Sequence, residues 1–385
     1  MTSEYDVIIV GGGIGGLTTA LALKRLGLGV VVLEKSQGLS EVGAGLWLAP
    51  NPLQVLQKLG IVDQVMALGY PLKRAEVISN RGRVLQQVCL KEYQSEFGFS
   101  TIAIHRIRLQ RSLYEQLEPK TVRFDCRIRE IVQRDERVQV RLESGETPTC
   151  SVLVGADGLH SQVRQSTLGP SGLRFSGTSS YRGIAPLERP SFDKAKGVEI
   201  WGRGCRFGCS HIAPREIYWY LTFDAAQGQR RSPEEILSHA RTLVAQEFPE
   251  YLDVVSNTPP RQIIHTDISD LKTLRTWKSG RVILLGDAAH ATTPNLGQGA
   301  AQAIEDALAL ANCLQSHGLT ENALDQFVRL RAKKTKWIVD RSWSIGRICH
   351  LRNPIAVATR DFVVCRFPKS FERRMLRTIF TPAIQ

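Results

Sequence analysis

The sequence predicts an α/β fold in which a nucleotide-binding domain, discontinuous along the chain, carries an inserted antiparallel-sheet domain and is followed by a C-terminal helical segment. Three observations support this prediction. An apolar strand near the N-terminus runs into a glycine-rich turn, two later strands end in Asp-Gly and Gly-Asp, and the middle of the chain consists of short strand-like runs separated by turns. The length of 385 residues accommodates two or three domains.

The first predicted unit is a strand, a helix and a second strand. Residues 6–10 are a mostly apolar, β-branched run, which is typical of a strand buried on both faces. A helix is predicted over 17–26 and a strand over 30–33, with the glycine-rich turn at 11–16 between the first strand and the helix. This context makes the motif specific for a dinucleotide, although FAD and NAD present the same ADP half.

The glycines of this turn fill the positions of a GxGxxG motif. Gly11 permits the tight turn, Gly13 lets the backbone approach a pyrophosphate, and Gly16 lets the helix pack closely on the strand. The start of the helix adds free N–H groups and a partial positive charge for the pyrophosphate. Glu34, at the end of the second strand, is placed to accept both hydroxyls of the adenosine ribose.

Two distant strands end in further motifs. Residues 151–158 form a strand that ends in Asp157-Gly158, with Arg164 spaced behind it. Residues 281–287 form another strand, which ends in Gly286-Asp287 and is followed by a loop at 294–299 and a predicted helix from Ala300 to Leu314. The carboxyl ends of strands in an α/β sheet are where such folds bind ligands, so we expect these motifs to meet there.

With these motifs in order, the chain resembles the FAD-dependent aromatic monooxygenases of the para-hydroxybenzoate hydroxylase type, nearest to urate and salicylate hydroxylases and to zeaxanthin epoxidase-like members. That family carries the same three fingerprints, and residues 43–51 and 105–110 match it further. The resemblance implies a Rossmann-like FAD-binding domain with non-covalent FAD. The implied reductant is NAD(P)H, which visits transiently, because no second GxGxxG unit is present. The predicted cofactor-binding residues are Gly11, Gly13, Gly15, Gly16, Glu34, Lys35, Ala44, Gly45, Arg106, Gln110, Ile128, Asp157, Asp287, Pro294, Gly297, Gln298, Gly299, Ala300 and Ala301.

The resemblance also implies roles within that set. Asp287 matches the aspartate that receives ribityl hydroxyls of the flavin, and the amides of residues 299–301 would lie beside its pyrimidine end, where a helix start favours negative charge. Arg106 matches an arginine near the flavin phosphates and ribityl chain. Asp157 and Arg164 either hold the cofactor side of the pocket or form a structural carboxylate–guanidinium brace.

The substrate is expected on the middle segment. Within residues 217–223, Tyr218 and Tyr220 share one strand face and Trp219 takes the other. Arg206 and Tyr218 match positions at which urate-hydroxylating members hold substrate, and Arg182 is a similar candidate, since a guanidinium can hold an anionic or phenolate group. The alternative is that Arg182 and Arg206 brace the sheet. The predicted domains are the FAD-binding domain (1–70, 101–175 and 275–315), the substrate domain (71–100 and 176–274) and the C-terminal basic helical segment (316–385).

The resemblance implies an enzyme in which NAD(P)H reduces FAD, O₂ adds to form a C4a-hydroperoxyflavin, and one oxygen atom passes to an aromatic or heteroaromatic small molecule. A second hypothesis is an epoxidase or hydroxylase of an isoprenoid, carotenoid-like or quinone substrate at a membrane surface. A third is an FAD-dependent reductase that does not use O₂. The substrate, the choice of NADH or NADPH, and a monomer or homodimer all stay open.

The C-terminus holds most of the net charge of +13. From residue 329 to 385 there are 14 basic and 3 acidic residues. Such a basic segment first suggests nucleic-acid binding. However, apolar residues recur in it at helical spacing, at Leu330, Trp337, Ile338, Ile345 and Ile348. We therefore expect a docked helix with its cations toward solvent and no nucleic-acid partner, with peripheral membrane contact as the alternative. The acidic N-terminus and the lack of a long apolar run predict a cytoplasmic protein.

Three further polar residues receive a structural interpretation. Glu305 and Asp306 are adjacent on a helix and face different directions, so a first-turn or surface role is expected rather than a catalytic pair. His290 is expected to be a hydrogen-bonded structural histidine. The eight cysteines contain no CxxC pair and no histidine cluster accompanies them, so no metal site is predicted.

Overall fold

The computed structural model describes residues 3–39, 43–134, 136–187 and 193–385, which form two large sheets and one small sheet. The strands are β1 (Glu4–Val10), β2 (Val30–Leu33), β3 (Gly45–Leu48), β4 (Tyr70–Pro71), β5 (Arg74–Ser79), β6 (Val84–Cys89), β7 (Ile102–His105), β8 (Val122–Arg123), β9 (Ile128–Arg134), β10 (Arg137–Leu142), β11 (Thr149–Gly155), β12 (Leu173–Ala185), β13 (Lys196–Trp201), β14 (Cys205–Ala213), β15 (Glu216–Asp224), β16 (Ile264–Leu271), β17 (Lys278–Ser279) and β18 (Val282–Leu284). The helices are α1 (Ile14–Lys24), α2 (Pro50–Lys58), α3 (Val62–Leu68), α4 (Leu90–Phe97), α5 (Arg106–Glu115), α6 (Gln162–Leu168), α7 (Pro233–Glu247), α8 (Leu252–Ser256), α9 (Asp287–His290), α10 (Gly299–His317), α11 (Glu321–Cys349), α12 (Pro354–Cys365) and α13 (Lys369–Phe380).

The first large sheet has a parallel centre in the order β18-β11-β1-β2-β8. The apolar side chains of β1, β2 and β11 are almost all buried, as expected where both faces of a parallel sheet are covered. Val10 pairs with Gly155, and Gly155 pairs with Leu284, so three strands end side by side. The glycine turn and the two Asp/Gly motifs therefore meet at one edge of the sheet, as the sequence predicts.

The second large sheet has the order β16-β12-β15-β14-β13-β5-β6 and is antiparallel except for the β13–β5 pair. Its strands come from the two segments of the predicted substrate domain, although the division into domains stays a prediction. Trp219 is fully buried against the helices on one face, while Tyr218 and Tyr220 are half-buried on the other. The predicted alternation along β15 is confirmed.

The small sheet, β3-β7-β4, links the two large ones. The indole Nε1 of Trp47 in β3 donates to the hydroxyl of Ser210 in β14 at 2.9 Å. Gly45 in the same strand lies against the ring of Tyr218, where a Cβ would come within 2.4 Å of the ring. Because Gly45 has no side chain, β3 packs directly against the ring of Tyr218, and this contact brings the small sheet and the second large sheet together.

Helix α10 lies in the interior of the molecule. It packs against α1, α2 and α11, and residues 301–311 are all buried. The predicted helix over 17–26 begins earlier, at Ile14, because Gly13 takes the extended conformation of an N-cap.

The C-terminal helices differ from two expectations, which concern the apolar stripe and the exposure of the cations. Of the predicted apolar stripe, Ile338 is buried, three residues are partly buried, and Ile348 is 46% exposed. The buried stripe of α11 instead includes Leu324, Phe327 and Arg331. The expectation that the cations face solvent is wrong for Arg331 and Arg360, which are both buried.

Candidate active site

The glycine turn between β1 and α1 is tight at two positions and open at a third. Gly11 has a φ of +108°, and a Cβ there would lie 2.5 Å from the carbonyl oxygen of Ala156. A Cβ at Gly16 would lie 1.9 Å from the carbonyl oxygen of Gly11. At Gly13 a Cβ would meet no atom within 4 Å. The turn thus leaves free space beside the start of α1, where unpaired N–H groups favour a phosphate.

Glu34 and Gln110 hold the backbone of this turn. The carboxylate of Glu34 accepts from the N–H groups of Gly12 at 2.6 Å and Ser36 at 2.8 Å. The amide Nε2 of Gln110 donates to the carbonyl of Gly12 at 2.7 Å. Both residues therefore lie at the turn, and neighbouring Lys35 is exposed.

Asp157 and Arg164 form no direct ion pair, so the carboxylate–guanidinium brace considered from the sequence is wrong. One oxygen of Asp157 accepts from the Ser161 hydroxyl at 2.5 Å, and the other accepts from two N–H groups of the first turn of α6. Arg164 is fully buried. Its nitrogens donate to the hydroxyl of Ser171 and the carbonyls of Leu159 and Ala288. Each residue instead braces its own part of the loop that follows β11.

Asp287 follows β18 and is exposed in a cleft. Within the described residues, no hydrogen bond reaches its carboxylate. Partial desolvation inside the cleft raises the pKa of this carboxyl, against the opposing effects of His290 and Arg106. The carboxylate is thus free to accept hydrogen bonds from a bound molecule.

The backbone around Asp287 is held by a buried ion cluster, which we define as Glu305, Asp306, Arg331 and Lys334. Asp306 accepts from the N–H of Gly286 at 2.8 Å, and it lies 2.6 Å from the Nε2 of His290. His290 is buried, which agrees with its structural interpretation. Burial alone would raise the pKa of Asp306, but nearby His290 and Arg331 hold it well below its usual range.

The surface role expected for Glu305 and Asp306 is wrong, because both are fully buried. Arg331 donates to Asp306 at 2.7 Å and to Glu305 at 2.6 Å, and Lys334 donates to Glu305 at 2.9 Å. Adjacent residues can both be buried here because α10 is surrounded by protein. Sequence reasoning missed this cluster, although an arginine on the same helical stripe as Leu324 and Phe327 was a signal for it.

The loop before α10 leaves the start of that helix open. Gln298 is buried and accepts from the amide of Asn51 at 3.0 Å. The helix has no side-chain cap, so the N–H groups of residues 299–301 have no partner within it. Gly297 has a φ of +62°, and exposed Pro294 begins a short 3-10 turn.

Residues of both large sheets and of helix α5 meet at the cleft in which Asp287 is exposed. Arg106, at the start of α5, is exposed there. The pKa of Arg106 is lowered by partial desolvation in the cleft and by nearby Arg182, whereas Asp287 opposes the shift. Burial raises the pKa of Tyr218, while Arg182 lowers it. The Nη2 of Arg182 donates to the hydroxyl of Thr266 at 3.1 Å, whereas its Nε is buried with no partner among the described residues.

Arg206 is only 2% exposed and has three protein partners. Its Nε donates to the hydroxyl of Thr222 at 3.1 Å, its Nη1 donates to Glu199 at 3.3 Å, and its Nη2 donates to the side chain of Asn295. Arg206 and Asn295 line a small cavity of about 80 Å³. These contacts favour the sheet-bracing alternative for Arg206, and its substrate contact stays a prediction.

The remaining predicted residues are backbone or packing positions. The carbonyl of Ala44 accepts from the N–H of Arg106 at 3.0 Å, and the carbonyl of Ile128 accepts from Gln162 at 2.7 Å. A Cβ at Gly15 would lie 3.1 Å from Ala303 of α10. In the described part of the chain, no group of His, Cys, Asp or Glu is arranged to hold a metal, and no helix is long and apolar enough to cross a bilayer.

Comparison with known proteins identifies the family. A family model described as an FAD binding domain matches residues 4–342. An aurachin C monooxygenase/isomerase of Stigmatella aurantiaca is 34% identical over 371 residues, 94% of each chain. A 2-heptyl-3-hydroxy-4(1H)-quinolone synthase of Pseudomonas aeruginosa is 32% identical, over 97% of each chain.

The chain is an FAD-dependent aromatic monooxygenase.

Solved structures agree with this monooxygenase in fold. Klebsiella pneumoniae HpxO, complexed with FAD and uric acid, has a TM-score of 0.89 and 23% identity, covering 98% of this chain and 96% of its own. Pseudomonas aeruginosa PqsL, in complex with 2-aminobenzoylacetate, has a TM-score of 0.79 and 26% identity, covering 92% and 99%.

FAD fits the residues of this monooxygenase. The open space at Gly13 admits a pyrophosphate, the unpartnered carboxylate of Asp287 admits ribityl hydroxyls, and the uncapped start of α10 admits an electron-rich ring edge. All three lie where the parallel strands end. The monooxygenase therefore offers a donor or acceptor of the correct kind for each part of the cofactor, with NAD(P)H as the reductant typical of the family.

Proposed function

We propose that the enzyme hydroxylates a 4-quinolone ring that carries a hydrocarbon chain, with O₂ and NAD(P)H as co-substrates. The observation that carries this proposal is the near full-length similarity to a 2-heptyl-3-hydroxy-4(1H)-quinolone synthase. The product in that name is a fused heteroaromatic ring with a heptyl chain and a hydroxyl group. The heteroaromatic substrate expected from the sequence is thereby narrowed to the alkyl-4-quinolones.

For the cofactor, we assign the pyrophosphate to the turn at Gly13 and the adenosine ribose to Glu34. Asp287 accepts from the ribityl hydroxyls, and Arg106 pairs with the phosphates. The N–H groups of residues 299–301 face the pyrimidine edge. The free space, the unpartnered carboxylate and the uncapped helix described above support these assignments.

For the substrate, we assign the ring to the space between the cleft at Asp287 and the face of β15 that carries Tyr218 and Tyr220. The rings of these tyrosines are 6.1 Å apart and present an aromatic wall. The guanidinium of Arg182 has an unused N–H that can donate to the ring oxygen of a quinolone. Such a donor fixes the position of the ring oxygen and thereby orients the ring.

Bound FAD supplies the activation of O₂, and the protein supplies orientation and electrostatics. The uncapped N–H groups at the start of α10 would favour negative charge on bound FAD by up to ~2 kcal/mol. The tyrosine wall excludes water from the space above the ring. Arg182 holds the substrate so that its reacting carbon faces the cofactor.

A second candidate substrate is an aminated or hydroxylated benzoate. A 3-amino-4-hydroxybenzoate 2-monooxygenase of Streptomyces cremeus is 30% identical over 93% of this chain. The specific observation in its favour is again Arg182, because a guanidinium with an unused N–H binds a carboxylate strongly.

The test is a panel of alkyl-4-quinolones and hydroxybenzoates, scored by substrate-dependent NAD(P)H oxidation in the wild type, Arg182→Gln and Tyr218→Phe. We expect the quinolones to stimulate oxidation. Arg182→Gln should raise KM about tenfold or more with FAD content unchanged, because the lost hydrogen bond comes from a charged group. A matched control is Arg174→Gln, on the same strand β12 as Arg182, which removes a guanidinium that pairs with Asp270 of β16. Stimulation by benzoates alone would overturn the quinolone proposal.

A further inference from the structure

Helix α12 exposes three large apolar side chains on its outer face. The inner face carries Val357, which is buried. The outer face carries Ile355, Phe362 and Val363, which are 77%, 54% and 53% exposed. Neighbouring large apolar side chains on a protein surface usually mark a contact with another protein or with lipid. No other described segment of the chain covers these three side chains.

The two charged residues of α12 do not interrupt that face. Arg360 is buried, and its Nε donates to the carboxylate of Asp361 at 2.9 Å. The helix therefore carries no net charge. The exposed apolar surface continues into the next turn and helix, where Phe367 and Phe371 are 41% and 44% exposed with their rings 5.0 Å apart.

Helix α13 places basic residues directly after this apolar surface. One face of the helix is polar and open to solvent, and it carries the exposed residues Lys369, Ser370, Arg373, Arg374, Arg377, Thr378 and Thr381. Arg373 and Arg377 also pair with Glu92 and Glu96 of α4, but these pairs are exposed. Lys369 and Arg374 are exposed cations on the same face of α13.

We propose that α12 and α13 dock the enzyme on the surface of an anionic phospholipid membrane. We call residues 355–374 the docking surface. The apolar side chains of α12 enter the boundary between headgroups and acyl chains, and the cations of α13 pair with lipid phosphates. Exposed large apolar groups next to unpaired cations match an anionic bilayer in both charge and polarity. Nucleic acid matches only the charge.

The docking surface also bears on the proposed substrate, and this one step rests on the proposed function. A quinolone with a long hydrocarbon chain partitions into lipid, so an enzyme held at the bilayer meets it at raised concentration. Docking itself requires no assumption about the substrate. Its test is therefore separate from the substrate panel.

The test is co-sedimentation of the FAD-loaded enzyme with vesicles of phosphatidylcholine alone or mixed with phosphatidylglycerol, at low and high salt. We expect binding to the anionic vesicles that weakens with salt, since each cation at the surface contributes about fivefold. The variant Ile355→Ser/Phe362→Ser should bind at least tenfold more weakly. Its control, Leu68→Ser/Leu173→Ser, removes exposed apolar groups elsewhere and should bind like the wild type.

A charge pair completes the design. Lys369→Glu/Arg374→Glu should lose binding to anionic vesicles, whereas Arg230→Glu/Arg241→Glu, with the same change in net charge at other exposed sites, should lose much less. FAD absorbance checks that each variant is folded. Failure of the wild type to bind anionic vesicles at low salt would overturn the proposal. So would equal losses in the docking and control variants, or a dimer that dissociates in Ile355→Ser/Phe362→Ser without any vesicle binding.

Discussion

Among single residues, the three glycines of the first turn differ in what their missing side chains permit. At Gly11 and Gly16 a side chain would collide with the protein itself, whereas at Gly13 it would enter the free space to which we assign the pyrophosphate. The sequence motif already predicts a different role for each of these three glycines. The packed backbone agrees with the folding roles of Gly11 and Gly16 and leaves free space at Gly13 for the proposed ligand.

This difference predicts opposite outcomes for two matched substitutions. Gly13→Ala should leave the melting temperature of the FAD-free protein unchanged, because its Cβ enters free space, and should weaken FAD binding at least tenfold. Gly16→Ala should destabilise the FAD-free protein, because its Cβ would overlap the carbonyl of Gly11. Thermal unfolding and FAD titration measure the two effects. Unchanged FAD affinity in Gly13→Ala would contradict the pyrophosphate assignment.

Asp287 carries the second prediction at this scale. Asp287→Ala removes an acceptor for buried ribityl hydroxyls and should cost ~1–3 kcal/mol of FAD binding. The control is Asp63→Ala, an exposed aspartate on α3. Fluorescence titration of the apoprotein with FAD gives both affinities. If Asp287→Ala binds FAD as tightly as the control, the assignment of Asp287 is wrong.

At the scale of elements, the buried α10 explains what sequence reasoning could and could not predict. The strands, the glycine turn and the Asp/Gly motifs are local signals, and each was predicted close to its observed position. The partners of Glu305 and Asp306 lie on α11, more than twenty residues further along the chain. The stripe of Leu324, Phe327 and Arg331 indicates a buried arginine, but no local pattern reveals which carboxylates it contacts. That pairing depends on how three helices surround α10.

The ion cluster predicts a particular pattern of stability. Arg331→Met should lower the free energy of unfolding by about 3–5 kcal/mol, since it leaves two buried carboxylates without their main partner. The triple variant Arg331→Met/Glu305→Gln/Asp306→Asn should regain much of that loss, because no unpaired carboxylate remains. Arg329→Met, an exposed site on the same helix, is the control. Urea unfolding at neutral pH measures all three, and a triple variant less stable than Arg331→Met would contradict the account.

The same cluster predicts how stability depends on acid. The pKa of Asp306 is depressed in the folded protein. Its contribution to the free energy of unfolding is therefore complete above the pKa of about 4 that an aspartate has in the unfolded chain. That contribution is lost as pH falls toward the folded pKa. The triple variant should therefore lose less stability than the wild type below pH of about 4. Urea unfolding at several pH values measures these losses. Equal losses of unfolding free energy in acid for the wild type and the triple variant would show that Asp306 is not held ionised.

For the whole molecule, two sheets meet at a cleft to which each contributes different chemistry. The parallel sheet brings the groups suited to the cofactor, and the mixed sheet brings Tyr218 and Arg182. Family resemblance predicted this division. It did not predict that Arg206 would be enclosed by three protein partners, because a sequence match gives a position and not the direction of a side chain.

The central claim is that the molecule transfers one oxygen atom from O₂ to an alkyl-4-quinolone. Turnover under isotopically labelled O₂ with NAD(P)H, followed by mass spectrometry of the product, tests it most directly. The account predicts a product heavier than the substrate by one labelled oxygen atom, with about one NAD(P)H consumed for each product formed. A reduced substrate, or a hydroxylated product whose oxygen comes from water, would contradict it.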